Sequence, residues 1–477
     1  MEIAVLTSEQ IAAIHRASLE VLERVGVELP HEETLRRFAD RGAHVSFEAR
    51  RVRIPPELVE ECLRSAGKSF TIYGRDRTRT AQFGVGKRNY NSVAGEAFWL
   101  DDGTLRRRYA VLGDVKTACT IADALPRLNI VGAMTDPHDV PHAVQDVLVV
   151  REMLKHTTKP IHFWFNTRRS ARYVGEMLIA VAGNGDEARR HPLTYNFLEP
   201  ISPLRFAFNG VDLLYEMARF PLPVSIGPMV QAGLSGPVTL AGTIAQENAE
   251  ILAGICITQM TSPGVPVCYG GIAHTFDMRT TQLVFAGPEQ ALMAVAFTQL
   301  GKHYGLPVYI NVGLTDAKLP DAQAGMEAGI TLAAGAAAGA DIFGHLGICG
   351  VDQATSLSML VMQHELIGYV ERLMQGIEVT PEMLAADVIE RVVAGGGTFL
   401  ADEHTVRHFR REHWFPELLD RSFFEAWAEA GRTDLFARCR DRAVQVLATH
   451  EPEPPPRELA DELDRIADAA VRDLALA

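Results

Sequence analysis

Short apolar runs and longer stretches of helical periodicity alternate along the chain from about residue 128 onward. This alternation is typical of repeated β-strand and α-helix units in which each strand pairs parallel to its neighbour. The apolar runs are 128–132, 161–165, 193–197, 223–226, 266–269, 307–312, 341–345 and 398–401. Eight such units predict an α/β fold with a closed (β/α)8 TIM-type barrel.

A doubly wound open sheet is the alternative architecture, and it normally carries a glycine-rich phosphate-binding turn after an early strand. The nearest candidate, Gly84-Val85-Gly86-Lys87, lacks the rest of a mononucleotide- or dinucleotide-binding motif. We therefore interpret this segment as a turn between strands and favour the barrel.

The residues on either side of the barrel follow different patterns. Residues 8–26 have helical periodicity, and Thr7 with Gln10 predicts a capping box that opens this helix. Apolar residues recur on one face of a last helix at 459–466, which we expect to dock on the barrel or on another subunit. Further strand candidates are 44–47, 51–54, 70–73 and 98–100. The predicted regions are an N-terminal α+β extension at 1–123, the barrel at 124–401 and a C-terminal helical region at 402–477.

The composition argues against several classes of partner. The chain has 477 residues, a hydrophobic content of 47% and a formal net charge of −14. Because no basic patch is available to displace counterions from phosphates, we expect neither nucleic acid nor an anionic membrane as a partner. The N-terminus lacks the layout of a signal peptide, which predicts a cytoplasmic protein. Six cysteines stand apart without a C-x-x-C pair, which predicts buried free thiols and no bound metal.

The residues that follow each predicted strand are the candidates for chemistry, because a TIM barrel builds its active site at the carboxyl ends of its strands. The polar candidates are Asn166, Asn196, Glu199, Asn311, Asp316, Gln323 and His345. This rim is rich in amides and poor in bases and nucleophiles. Glycoside hydrolysis by Glu199 with Asp316 or Asp321 is disfavoured, because only four tryptophans are available for stacking on sugars. A G-x-S-x-G nucleophile motif is also absent from the sequence.

Aromatic residues also fall near the predicted strand ends. The candidates are Phe98, Trp164, Phe197 and Tyr269. If several of these rings converge on one pocket, they form a cage that attracts a quaternary ammonium group through cation–π contacts. The alternative is that the rings belong to separate layers of the core.

Four segments together resemble the trimethylamine methyltransferase family. They are PMVQAGLSGPVTLAGTIAQENAEILAG at 228–254, DMRT at 277–280, LPVYINVGLTDAKLPDAQAG at 306–325 and HTVRHFRREHWFPELLDR at 404–421. The resemblance implies a barrel enzyme that moves a methyl group from a methylated amine to the cobalt of a separate corrinoid protein. The archetype contains pyrrolysine in its active site, whereas this sequence has only standard residues. The resemblance therefore points to the non-pyrrolysine branch, which is similar to glycine betaine methyltransferase and acts on quaternary amines.

The chemistry of a quaternary amine fits a rim with few acids and bases. When a nucleophile takes one methyl group, the leaving group is a neutral tertiary amine that needs no proton. With this resemblance, the expected catalytic residues are Asp316, Gln323 and His345. The expected substrate-binding residues are Phe98, Trp164, Asn166, Asn196, Phe197, Glu199, Tyr269 and Asn311. The residues expected to face the corrinoid are Gly233, Gly236, Gly270, Gly271 and Arg279.

The corrinoid is expected to come from a partner protein. Corrinoid modules use a D-x-H-x-x-G loop, but the nearest string here, 136–141, ends in proline. The other expected partners are a small quaternary amine and further copies of this chain. Two alternative functions remain: a metal-dependent barrel lyase or hydrolase that uses His345, Cys349 and Asp316, and a non-catalytic protein that binds methylated amines.

Overall fold

The fold is a TIM-type barrel in a computed structural model that describes residues 1–220 and 222–474. Eight parallel strands form the barrel. They are β1 (Asn89–Ser92), β2 (Val131–Gly132), β3 (Ile161–His162), β4 (Asn196–Leu198), β5 (Val224–Ile226), β6 (Val267–Gly271), β7 (Val308–Asn311) and β8 (Ile342–Leu346). The predicted α/β barrel is therefore confirmed.

Backbone hydrogen bonds close the strands into a ring. One continuous sheet has the order β4-β5-β6-β7-β8-β1, and β2 pairs with β3 in a second ladder. A parallel bridge from Asn91 to Ile130 joins β1 to β2. The N–H of Ile161 donates to the carbonyl of Leu193 at 3.0 Å and so links β3 to the segment leading into β4.

Seven of the predicted apolar runs coincide with β2 to β8, but the run at 398–401 does not belong to the barrel. Residues Phe399–Ala401 form a 3-10 helix. The eighth barrel strand is instead β1, which pairs parallel with β8. It lies in the segment that the sequence analysis assigned to the N-terminal extension. The limits of the three predicted regions remain predictions, and 475–477 lie outside the described residues.

Helices follow the barrel strands and surround the ring. The α-helices are Ser8–Arg24, Glu32–Asp40, Pro56–Ser65, Leu112–Ala124, Gln145–His156, Arg168–Ala182, Gly185–Arg190, Phe208–Met217, Leu240–Thr261, Pro288–His303, Ala322–Ala338, Leu357–Met374, Pro381–Leu384, Ala386–Ala394, Glu403–Glu412, Phe424–Glu429, Leu435–Thr449 and Arg457–Leu474. A second 3-10 helix spans His142–Val144. Thr7 and Gln10 form the predicted capping box on the first helix.

Short strands outside the barrel form hairpins and small sheets. They are Val27–Glu28, His44–Ser46, Arg51–Arg53, Phe70–Tyr73, Thr80–Phe83, Phe98–Asp101, Arg106–Tyr109, Pro200–Ile201, Arg205–Phe206, Gln231–Ala232, His274–Asp277, Gln282–Val284, Ile348–Cys349 and Ala354–Thr355. All four strand candidates of the N-terminal region are present, with small differences at their ends.

A hairpin fills the amino-terminal end of the barrel. The strands Phe70–Tyr73 and Thr80–Phe83 pair with each other, and their side chains Ile72 and Phe83 are fully or almost fully buried. They pack against Tyr195 and Ile342 in one apolar cluster that also contains residues of β6 and β7. Because this end is filled, a ligand has access to the barrel interior only from the carboxyl ends of the strands.

The last helix docks on the barrel. Leu463, Ile466 and Ala470 of Arg457–Leu474 are buried, and the helix packs against the helices Gln145–His156 and Arg168–Ala182. All six cysteines are buried and free, as predicted. Within 1–220 and 222–474, every helix is too short or too polar to cross a membrane.

Candidate active site

The candidate active site lies inside the carboxyl end of the barrel. Side chains alternate across a strand, so every second residue points inward. His162 at the end of β3 points inward, as does Trp164 two residues later. Tyr195, just before β4, and Phe197, within β4, also point inward. On β7 the inward residue is Tyr309, whose ring contacts that of Phe197.

The inward rings form a connected aromatic wall. The centroids of Trp164 and Phe197 are 5.7 Å apart with an interplanar angle of 82°. Phe197 meets Tyr309 at 5.2 Å and 69°, and His162 stacks on Tyr195 at 4.5 Å and 17°. Two of the four predicted cage residues, Trp164 and Phe197, are therefore in contact, and they present ring faces and edges to one side of the barrel mouth.

Carboxyl groups line the same mouth, and Asp136 lies beside Trp164, since a Cβ on Gly95 would overlap Asp136 Oδ1 and would lie 3.1 Å from Trp164 Cδ1. Ligand atoms of Glu96, His345 and Asp352 all lie within 4.8 Å of one another. The negative charge of Asp136 raises the pKa of Glu96, and the negative charge of Glu199 raises the pKa of Asp352. We call Glu96, Asp136, Glu199 and Asp352 the acidic cluster. Its four members come from loops after β1, β2, β4 and β8.

Among the described residues, the acidic cluster forms no ion pair with an Arg or Lys side chain, although the nearby imidazoles of His138 and His142 act to lower the pKa of Asp136. Burial, followed by the negative charges of Asp352 and Asp136, holds the pKa of Glu96 well above its usual range. Burial and the charge of Glu199 raise the pKa of Asp352 to about 7. Burial also raises the pKa of Asp136. Glu199 retains solvent contact in the open mouth, but the surrounding protein still raises its pKa. A bound cation would favour the ionised form of all four groups.

His345 links the acidic cluster to the aromatic wall. The register between β8 and β1 shifts between Phe343 and Leu346, and His345 itself has a φ of 71°. This irregular backbone turns its ring into the barrel, where Nδ1 lies 2.8 Å from the Tyr309 hydroxyl. Burial lowers the pKa of His345 to about 4, so the imidazole is neutral at physiological pH.

Several inward polar atoms have no hydrogen-bond partner among the described residues. They are His162 Nε2, Tyr195 Oη, Ser225 Oγ, Asp352 Oδ1 and both amide atoms of Asn311. A buried polar group without a partner costs roughly 1–3 kcal/mol, so such groups are normally satisfied by protein, water or a ligand. Their concentration inside one barrel indicates a hydrated or ligand-filled interior.

A buried and a half-buried glutamate on the barrel helices, Glu247 and Glu327, hold the loops of the mouth in place. Glu247 accepts hydrogen bonds from the N–H groups of Ile272 at 2.7 Å and Val230 at 3.2 Å, and so ties the loops after β5 and β6 together. Glu327 accepts from the N–H of Asp316 at 2.8 Å and holds the loop after β7. Glu247 lies within the 228–254 segment and Glu327 lies just after the 306–325 segment. Their contacts indicate that both residues stabilise the loops of the mouth.

Replacing Glu247 by alanine should destabilise the protein, because two buried backbone N–H groups would lose their acceptor. At roughly 1–3 kcal/mol for each unsatisfied donor, the cost is a few kcal/mol. Differential scanning calorimetry should show a clearly lower Tm for Glu247→Ala than for the control Glu289→Ala, whose side chain is exposed. Equal Tm values for the two variants would contradict this role.

Four of the predicted substrate-binding residues lie away from the interior. The expected place of Tyr269 in the cage is wrong, because its ring points to the helix layer, where the hydroxyl donates to Asn248 Oδ1 at 2.8 Å. Asn196 also faces outward, since its neighbour Phe197 points inward. Asn166 donates to the carbonyl of His142 at 3.1 Å in the loop after β2. Phe98 stacks on Tyr109 at 4.8 Å in the outer hairpin.

Two of the predicted catalytic residues serve the loop after β7. Asp316 accepts from the N–H of Phe285 at 2.8 Å, and Gln323 is exposed and donates to Glu327 Oε1 at 2.8 Å. Of the predicted catalytic residues, His345 is the one whose side chain lies among the inward groups. Among the predicted polar binding residues, Asn311 and Glu199 lie at the mouth.

The residues expected to face a corrinoid divide into two groups. Gly233 and Gly236 lie in a turn at the rim, where Gly233 has a φ of 94°. Gly270 and Gly271 instead allow close packing within the barrel, because a Cβ there would overlap β5 or Phe297. Arg279 has a side-chain exposure of 90% and pairs with Asp277 at 3.2 Å at the tip of an outer hairpin.

The sequence missed several inward residues, namely Glu96, Asp136, His162, Tyr195, Tyr309 and Asp352. The expectation of a rim poor in acids is therefore wrong. The period-2 pattern was a usable signal for Tyr195 and Tyr309, since each lies two residues before another inward candidate. The three acids had no such signal, because they lie in loops that only ring closure brings together.

The metal trio considered from the sequence is not assembled. Cys349 packs in a separate small cluster with Leu100 and Ala354, while Asp316 is engaged by the backbone of Phe285. In the part of the chain that the structure describes, the one group with metal-ligand spacing is Glu96, His345 and Asp352.

Comparison with known proteins places the chain among methyltransferases. A sequence model of the family described as trimethylamine methyltransferase (MTTB) matches residues 1–472. The chain is 31% identical over 466 residues to a trimethylamine methyltransferase of Desulfitobacterium hafniense, covering 98% of this chain and 94% of that protein. It is 32% identical over 451 residues to a glycine betaine methyltransferase of the same species, covering 94% and 93% of the two chains.

A solved structure supports the fold. The crystal structure of the monomethylamine methyltransferase of Methanosarcina barkeri superposes with a TM-score of 0.50 at 12% sequence identity. The match covers 94% of this chain and 88% of that one. At this identity the likeness concerns the fold alone, whereas the sequence matches extend over nearly the whole chain. The chain therefore belongs to the trimethylamine methyltransferase family, a family of methyltransferase enzymes.

Proposed function

We propose that the protein transfers a methyl group from a quaternary ammonium compound, bound at the barrel mouth, to the cobalt of a separate corrinoid protein. The observation that carries this proposal is that the aromatic wall and the acidic cluster lie together at one end of the barrel, with Asp136 beside Trp164. Ring faces attract a methylated ammonium group through cation–π contacts, and carboxylates supply the opposite charge. Membership of a methyltransferase family supports methyl transfer as the chemistry of this site.

The residues of the wall bind and orient the cation. Trp164, Phe197 and Tyr309 bound one side of the opening, so the three or four methyl groups of an ammonium head can pack against their rings. The ionised carboxyl groups of the acidic cluster stabilise the positive charge. Fixing the head in this way directs one methyl group toward the open mouth, and the gain comes from orientation and from exclusion of water.

The corrinoid supplies a nucleophilic Co(I) centre that accepts the methyl group. The C–N bond breaks with its electron pair remaining on nitrogen, so the departing molecule is a neutral tertiary amine. No protein group has to donate a proton to it. The neutral imidazole of His345, held by Tyr309, can remain uncharged throughout.

The rim of the barrel fits the approach of a large flat group carried by another protein. Leu234, Val238 and Met278 expose 61%, 69% and 65% of their surface beside the Gly233 turn. These side chains offer an apolar contact around the opening. The contacts of the 136–141 string support a role other than cobalt ligation, because the Asp136 carboxyl belongs to the acidic cluster and the His138 ring lies 4.5 Å from that of Tyr109, tilted by 38°.

The proposal is tested by incubating the protein with reduced cobalamin and a panel of methylated amines. Methyl transfer changes the absorbance spectrum of the corrinoid, and the demethylated amine can be identified by mass spectrometry. We expect transfer from at least one quaternary amine and none from its demethylated product. The absence of transfer from every quaternary amine, while a relative is active under the same conditions, would overturn the proposal.

A divalent metal held by Glu96, His345 and Asp352 is the second candidate for the same opening. Carboxylate and imidazole ligands suit Zn²⁺ and Mn²⁺, and Tyr309 would orient the imidazole through its other nitrogen. Elemental analysis of the purified protein distinguishes the two candidates. A stoichiometric metal would favour a metal-dependent reaction, whereas its absence after purification with added metal would favour the ammonium site.

We also propose that the protein self-associates through its C-terminal region. Ile377, Leu400 and Phe423 expose 87%, 82% and 87% of their surface, and other large apolar side chains between residues 377 and 424 are also exposed. Exposed apolar surface of this kind is typical of protein interfaces. Light scattering should give a mass that is a multiple of 52.3 kDa, and Leu400→Asp combined with Phe423→Asp should lower it. A monomer at micromolar concentration would contradict the proposal.

A further inference from the structure

We infer that the methyl donor is a cation that carries no carboxylate, such as a choline-type alcohol or a tetraalkylammonium, and not a betaine. The inference rests on the proposed function, because it names the substrate class of the same site. It departs from the betaine-like substrate that the sequence resemblance suggests.

The opening contains four carboxyl groups and becomes negative as they ionise. Within 1–220 and 222–474, no Arg or Lys side chain forms a hydrogen bond or ion pair with the side chains of Glu96, Asp136, Glu199 or Asp352. Asp352 Oδ1 has no partner of any kind there. In glycine betaine, a single CH2 group separates the ammonium nitrogen from the carboxylate. A compact betaine bound by its ammonium head would therefore place its carboxylate beside the acidic cluster, where like charges repel.

The cationic side chains that could offset this repulsion are engaged elsewhere. Neutral donors such as Asn311 Nδ2 and Tyr195 Oη lack a partner among the described residues, but they carry no positive charge. The charge of a betaine carboxylate would therefore need a cation such as Arg279. Arg279 is paired with Asp277 at the tip of an exposed hairpin, and Asn196 faces the helix layer.

Arg107 on the outer hairpin is also committed to other partners. Its guanidinium lies over the ring of Phe98 at 4.0 Å and donates to Gln353 Oε1 at 2.7 Å. Gln353 adjoins Asp352 in the sequence, so Arg107 approaches the mouth from the outside. Its side chain makes no hydrogen bond or ion pair with the acidic cluster among the described residues.

A hydroxyl group suits the same surroundings. The hydroxyl of a choline-type cation can donate a hydrogen bond to an ionised carboxylate, and Asp352 Oδ1 and Asn311 Oδ1 are acceptors without a partner among the described residues. A tetraalkylammonium, which has no polar group, would use the aromatic wall and the negative charge alone. Both classes avoid placing a second anion in the opening.

Isothermal titration calorimetry of the intact protein with choline, tetramethylammonium and glycine betaine at pH 8 tests the inference. We expect choline or tetramethylammonium to bind at least tenfold more tightly than glycine betaine. In Glu199→Gln and Asp352→Asn the preference should shrink, because each substitution removes one negative charge at nearly constant shape. Arg107→Ala should leave the preference unchanged.

The outcomes separate the inference from the proposed function. Glycine betaine binding equally well or more tightly would overturn the inference, even if methyl transfer from it were observed. Tight binding of choline or tetramethylammonium without methyl transfer from any amine would support the inference about the ligand. The same result would contradict the proposed methyl transfer. Failure of all three compounds to bind would overturn both.

Discussion

Replacing Phe197 by leucine should weaken binding of a quaternary ammonium cation about thirtyfold and should leave the fold intact. Phe197 is the central ring of the aromatic wall, in contact with both Trp164 and Tyr309. Leucine is an apolar residue of broadly similar size but has no ring quadrupole. A desolvated cation–π contact is worth up to about 2 kcal/mol, which corresponds to roughly a thirtyfold change in Kd.

The matched control is Phe70→Leu, which removes an aromatic ring from the hairpin at the opposite end of the barrel. Calorimetry of both variants should show weaker ligand binding for Phe197→Leu only, while circular dichroism shows native secondary structure for both. Unchanged affinity in Phe197→Leu, with the fold preserved, would show that the aromatic wall does not bind the cation.

Affinity for a quaternary ammonium cation should increase as the pH rises from about 6 to about 8. The pKa of Asp352 is raised to about 7 by burial and by Glu199, so this carboxyl is largely neutral at pH 6 and ionised at pH 8. A cation binds the ionised form more tightly, and thus affinity follows ionisation upward through this range, by up to about tenfold. Glu96 and Glu199 titrate in the same surroundings, whereas His345 has a lower pKa and stays neutral.

Asp352→Asn should bind more weakly than the unsubstituted protein at pH 8 and should show a flatter pH profile. The control is Asp316→Asn, because Asp316 also has a raised pKa but lies in the loop after β7, hydrogen-bonded to Phe285. Calorimetric titrations at several pH values in the same ionic strength measure both profiles. An affinity that falls with rising pH, or an identical profile in Asp352→Asn, would contradict the proposed role of the acidic cluster.

Much of the barrel could be predicted because its strands are apolar on both faces. A parallel strand packs against helices on one side and the barrel interior on the other, so β2 to β8 read as short continuous apolar runs. The strand β1, with the sequence Asn89-Tyr90-Asn91-Ser92, was missed because its polar side chains are satisfied by specific partners. Asn89 Nδ2, for example, donates to the carbonyls of Gln82 and Asp341 at 2.8 and 2.9 Å.

The same two-faced pattern explains the error at Tyr269. When both faces of a strand are apolar, the sequence does not reveal which residues point inward, and a shift by one residue exchanges the faces. Tyr269 and Phe197 both end predicted runs, yet Phe197 lies in the barrel and Tyr269 among the helices. The acidic cluster could not be predicted from the sequence for a different reason. Its members are separated by up to 256 residues and meet only when the ring closes.

The most direct test of the account is the rate of methyl transfer in a single turnover, measured in H2O and in D2O with saturating quaternary amine and Co(I) cobalamin. The account predicts transfer of one methyl group per cobalt at a rate that is nearly the same in both solvents, because the departing amine is neutral and takes up no proton. A rate about twofold or more slower in D2O would show that a proton moves in the rate-limiting step. That result would contradict a leaving group that needs no acid, and would make the carboxyl groups of the acidic cluster proton donors.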